Sequence, residues 1–198
     1  MTGQRRLSQA ISEGDGISLI VPAADAEAAR TAEAQGAEGV IVDRELVGLR
    51  EATSLPILWR AEGSPAEALF LGADACLVAA EEIDDDGERV ERRYAEALDL
   101  GLDCVVEVRD SDELEQALER LDPEIFLLSP QKAGGGGEEA LEHVLDLLPD
   151  LPAGKLAIAD LEVTSPEEVE ELERAGVDAV IVGVRSIAGL VRAAPPEV

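Results

Sequence analysis

Two acids stand where apolar strands would be expected to continue. Glu107 interrupts the run CVVEV (104–108), and Asp160 ends KLAIAD (155–160). A carboxylate in such a setting needs a partner or a raised pKa. Two acids facing each other can do general acid/base work or ligate a divalent metal. No DxD or HxxE spacing accompanies them, so no metal is expected. For Glu107 a second reading stands beside the catalytic one, a structural carboxylate held by Arg60 or Arg109. The sequence leaves both open.

A different chemistry is suggested by VGVRSI (182–187), where an apolar strand runs into a glycine and then opens a helical pattern. Backbone N–H groups of Gly183, Val184, Arg185 and Ser186 at a helix N-terminus would cup a phosphate, with Arg185 adding a bidentate charge contact. A second glycine-rich stretch, QKAGGGGEE (131–139), carries Lys132 but lacks GxGxxG or GK[ST] order, so it reads as a connector. Asp84, Asp85 and Asp86 read as charge at a helix N-terminus. Cys76 and Cys104 lie in apolar runs without CxxC spacing and read as buried small hydrophobes. His143 is the only histidine, which argues against zinc.

The elements that must position these groups follow from hydrophobic period. Eight short apolar runs, at 16–21, 39–43, 55–59, 75–80, 104–108, 124–129, 155–160 and 179–183, alternate with alanine- and glutamate-rich segments of helical spacing. The helical segments are 25–36, 44–53, 64–72, 84–101, 111–121, 137–148, 165–176 and 185–193. Asp25, Ser64, Ser111 and Ser165 are expected N-caps, and Pro65 and Pro166 suit first helical positions. Gly36, Gly72, Gly101 and Gly176 end helices where a left-handed residue belongs. A unit of Gly, any residue, Asp or Glu and then a strand recurs before four of the runs. One repeated βα block used eight times predicts a compact (β/α)8 TIM barrel of eight parallel strands with outer helices. Residues 1–15 are expected as a short N-terminal segment and 16–198 as the single barrel domain.

Composition narrows the partners. The chain has 198 residues, with 44 acidic against 16 basic and a net charge of -28. Such a field repels nucleic acid and anionic membranes. No apolar run of membrane-spanning length or leader-like N-terminus is present, so a cytoplasmic protein is expected; the oligomeric state is left open, with a monomer favoured. Lysines number only two, Lys132 and Lys155, as in proteins adapted to high salt; a GC-rich genome would have the same effect.

From about Gly16 onward the chain resembles the indole-3-glycerol phosphate synthase family. CVVEVRDSDELEQALE (104–119) resembles its fifth-strand signature, and SPEEVEELERAGVDAVIVG (165–183) its seventh-helix and eighth-strand segment. The resemblance implies a phosphate-binding (β/α)8 carboxy-lyase of tryptophan biosynthesis. That enzyme closes a ribulose-type side chain onto an aromatic ring with loss of CO2 and water, without a cofactor. Glu107 then matches the strand-5 catalytic glutamate, Glu45 an acid after strand 2, and Asp160 a glutamate after strand 7. Both family lysines are missing. Val21 stands at the first, and Arg60 at the general acid, where a pKa above about 12 makes it a poor proton donor. Leu161 and Glu162 replace a Ser-Gly that would hold phosphate. The expectation is a divergent barrel without standard lyase activity, binding a phosphorylated or other small ligand weakly. The alternatives are an active synthase with altered acid and base, and another phosphosugar isomerase or lyase using Glu107 and Asp160.

Overall fold

The computed structural model describes residues 7–14, 16–130, 138–163, 165–183 and 190. Eight strands, β1 (Ser18–Pro22), β2 (Gly39–Val42), β3 (Ile57–Trp59), β4 (Ala75–Ala79), β5 (Asp103–Val108), β6 (Ile125–Leu128), β7 (Leu156–Ala159) and β8 (Ala179–Ile181), pair in chain order. Every pairing is parallel, and β8 returns to β1 to close the barrel. The chain is a compact (β/α)8 TIM barrel. Outside the strands run α2 (Ala26–Ala34), α3 (Leu49–Ala52), α4 (Pro65–Phe70), α5 (Glu82–Asp99), α6 (Ser111–Arg120), α7 (Glu138–Leu147) and α8 (Pro166–Ala175).

Side chains alternate across each strand, and the two faces serve different cores. Val21, Val40, Val106, Phe126 and Val180 point outward against the helices. Ile20, Ile41, Leu58, Val105, Leu127 and Ile158 fill the barrel itself. The N-terminal segment joins that inner core. It forms α1 (Leu7–Ser12), whose fully buried Leu7 and nearly buried Ile11 plug the barrel beneath the strands. Leu7 packs against the start of β2, where its Cδ1 lies within van der Waals reach of Gly39. Burying such a leucine contributes about 1.5–3 kcal/mol.

Local signals set the helix ends. Asp25, Ser64 and Ser165 accept from backbone N–H groups at their helix starts, the two serines within capping boxes. The cap of α6 is Asp110 rather than Ser111: its carboxylate reaches the Glu113 N–H at 2.9 Å, and Ser111 is the first helical residue. Gly36, Gly72, Gly101 and Gly176 all have positive φ. The expected helix 44–53 shortens to α3, because Gly48 turns left-handed at φ 73° just before it. The expected helix 185–193 lies outside the described residues, except for Leu190.

The acids of the recurring unit act at the lower end of the barrel. Asp74 accepts from Ile57 N at 2.9 Å and Asp178 from Ala157 N at 2.8 Å, each tying its strand start to the preceding strand. Asp103 accepts from Ser8 N at 2.8 Å and so holds α1 in place.

Candidate functional site

The parity that places Ile20, Ile41, Leu58 and Leu77 inside the barrel also brings Pro22, Asp43, Arg60 and Ala79, two residues further on, to its upper rim. On the other four strands Val105, Leu127, Ile158 and Ile181 are followed in the same way by Glu107, Ser129, Asp160 and Gly183. All eight line one or other of two hollows at the C-terminal ends of the strands, of about 850 Å³ and about 870 Å³. Those volumes suit a small organic ligand, and this is the end at which such barrels carry function.

The hollows meet at a ridge of three charged side chains. Arg60 Nη2 hydrogen-bonds Asp160 Oδ2 and lies 3.5 Å from Glu107 Oε1. Ser129 Oγ donates to the same Glu107 oxygen at 2.8 Å. Glu107 borders both hollows, Asp160 the first and Arg60 the second. Burial alone would lower the Arg60 pKa, but the hydrogen bonds and negative charges of Asp160 and Glu107 outweigh it and raise the pKa further. The guanidinium is thus a permanent cation, suited to holding carboxylates and unsuited to giving up a proton.

Around the ridge several other charges are also paired. Arg109 hydrogen-bonds Glu81, and this bond and charge raise its pKa against the opposing effect of burial. In the second hollow Arg93 reaches Glu82 at 3.3 Å and donates to the Gly63 carbonyl at 3.2 Å. Asp86 borders the same hollow and breaks α5 with non-helical backbone; its carboxylate accepts from Arg89 N at 3.1 Å, capping the part of the helix that follows.

Of the sequence-derived site residues, Glu107, Asp160 and Arg60 are brought together. Glu45 is not among them. It falls beyond the end of β2, is exposed, and borders a separate depression of about 380 Å³ beside Val47 and Phe70. The rim residue of β2 is Asp43, and the period-two rule finds it directly from Ile41. The same rule finds Ser129 and Pro22, which the motif comparison passed over. Val21, set against a family lysine, is fully buried on the helix side of β1. Trp59 likewise belongs to the outer core. Gly183 borders the first hollow together with Leu161 and Glu162; Val184, Arg185, Ser186 and the glycine-rich stretch 131–137 lie outside the described residues. No group of three potential metal ligands occurs among the described residues, and no described helix is long and apolar enough to cross a membrane.

A closed parallel barrel with charged and hydroxyl side chains gathered at its C-terminal rim defines the chain as a (β/α)8 barrel with a polar upper rim. Its family follows from the sequence match: the indole-3-glycerol phosphate synthase profile covers residues 62–189, and the chain belongs to that family. Two solved structures share the fold. A designed cube-shaped porous protein cage superposes with a TM-score of 0.62 at 16% identity, covering 89% of this chain and 71% of that one. A mandelate oxidase mutant with a monooxide FMN adduct gives 0.65 at 15% identity, covering 88% and 67%.

Proposed function

We propose that this barrel does not run the family's lyase reaction and instead binds a small molecule at its rim. The observation that carries the proposal is Arg60, locked between Asp160 and Glu107 where a general acid would stand. Proton transfer by a positioned acid contributes about 10²- to 10⁴-fold to a rate, and a guanidinium held by two carboxylates does not supply it at neutral pH. On β1 the rim residue is Pro22, so no ammonium replaces the second lysine. Glu162 beside Gly183 places negative charge where the family would seat phosphate, which leaves phosphate binding weak and dependent on Arg185.

The test is direct turnover of the family's ribulose-type substrate. No indole-glycerol phosphate is expected at micromolar enzyme, and appreciable product overturns the proposal. Inorganic phosphate is expected to shift the melting midpoint only slightly, and less still in Arg185→Ala. A second reading, an isomerase or lyase acting on another phosphosugar, is favoured by the Glu107 and Asp160 pair on one cation. It fails if Glu107→Gln with Asp160→Asn alters no phosphosugar response. The net charge of -28 favours neither nucleic-acid nor anionic-membrane partners.

A further inference from the structure

Away from the rim, two thiols face each other across a strand pair. Cys76 of β4 and Cys104 of β5 are direct partners in the parallel register. Both point outward beneath the helices and are 5% and 4% exposed. Adjacent strands run about 4.8 Å apart, and a disulfide requires Cα atoms about 4.4–6.8 Å apart. Each thiol is the strongest single influence on the other's acidity. The Arg93 guanidinium of α5 places positive charge near both, and its Nε is buried without a hydrogen-bond partner.

We propose that Cys76 and Cys104 form a peroxide-oxidisable dithiol that closes into a cross-strand disulfide between β4 and β5. Cys76 attacks first. Interaction with the Cys104 thiol, together with the Arg93 charge and against the effect of burial, lowers its pKa, while that of Cys104 is raised well above the usual value by the same interaction and by burial. The Cys76 thiolate attacks one oxygen of a hydroperoxide and the O–O bond breaks. The departing hydroxide takes up the proton that Cys76 released and leaves as water, with a sulfenic acid on Cys76. The Cys104 sulfur then attacks Cys76 Sγ and the S–O bond breaks. The second hydroxide leaves as water with the Cys104 proton. The two sulfurs lose two electrons and the peroxide gains them. Burial favours so small an oxidant over a bulky disulfide. The product would covalently lock the register of β5, which carries Glu107 three residues beyond Cys104.

The experiment exposes the full chain, folded, to hydrogen peroxide, quenches it, and counts thiols after denaturation. The count is expected to fall from two to none, with an intact mass lower by two hydrogens and a non-reduced peptide joining Cys76 to Cys104 within one chain. Two surviving thiols, sulfinic acid on either residue, or a bridge between chains would overturn the proposal. Cys104→Ser is expected to stop at a sulfenic acid on Cys76, trapped by dimedone, whereas Cys76→Ser leaves its remaining thiol unreacted. Equal reaction of the two variants overturns the order of attack. Should serine impair folding, judged by circular dichroism, Cys104→Ala and Cys76→Ala make the same comparison.

Discussion

The two ends of this barrel use the same residue type for opposite purposes. At the lower end Asp74, Asp103 and Asp178 accept hydrogen bonds from the backbone of Ile57, Ser8 and Ala157. At the upper end Glu107 and Asp160 accept from the side chains of Ser129 and Arg60. A backbone N–H at the start of a strand or helix is fixed by the fold and always needs its acceptor. A serine hydroxyl or a guanidinium can turn toward an arriving ligand. Position along a strand therefore separates acids tied to the backbone from acids open to a ligand where residue type does not.

The sharpest way to break that contrast is Asp74→Ala. The Asp74 side chain is only 9% exposed and also holds Arg50 Nη1 at 2.9 Å, so its loss strands a buried N–H and takes away the carboxylate partner of Arg50, which keeps carbonyl acceptors at Thr53 and Leu55. A loss of about 3 kcal/mol is expected in urea unfolding. A loss below about 1 kcal/mol would place Asp74 with the dispensable acids.

At the rim the expected cost is smaller, because the hollows admit water to whatever partner is left behind. Arg60→Gln is expected to cost about 1 kcal/mol, and to change small-molecule thermal shifts far more than Asp74→Asn does. A cost equal to that of Asp74→Ala would mean that the ridge is structural.

A pH series gives a subtler measure. Burial raises the pKa values of Asp74 and Asp178 above 3.8, against their hydrogen bonds and, for Asp74, the Arg50 charge. The folded state then binds more protons than the unfolded one between 3.8 and the raised values, so these two groups make stability fall as pH rises through that window. Below 3.8 their penalty is absent; above the raised values it is constant. Asp178→Asn is expected to make the melting midpoint fall less steeply as pH rises above 3.8 than it does in the parent protein. An unchanged slope would remove Asp178 from the account.

The smallest effect per charge is the most widespread. With a net charge of -28, self-repulsion acts over the whole surface, and salt screens it within about 10 Å or less. The melting midpoint is expected to climb as KCl rises from low to molar concentration. A flat response would leave the lysine-poor acidity to genome composition.

Much of this was legible beforehand because it is local. The eight apolar runs became the eight strands, and Gly36, Gly72, Gly101 and Gly176 ended their helices through a left-handed preference that requires no tertiary contact. Glu107 and Asp160 stood out by interrupting apolar runs. What went astray was face rather than place. Glu45 was preferred to Asp43, and Val21 was set against a lysine although Pro22 holds the rim, because motif matching ignores the two-residue alternation that decides which side chain enters the barrel. α1 was missed as a plug for a related reason, since its few apolar residues reveal a buried face only once a barrel bottom exists to receive them.

By itself, then, the sequence determined the alternation, all but one of the expected caps, the family and the charge, all properties of neighbouring residues. Only the closed barrel decided that Arg60 meets Asp160, a hundred residues away, that Glu107 shares the same cation, and that Cys76 faces Cys104. Those pairings depend on register and closure. A parallel sheet sets both through contacts distant in the chain, which no local pattern encodes.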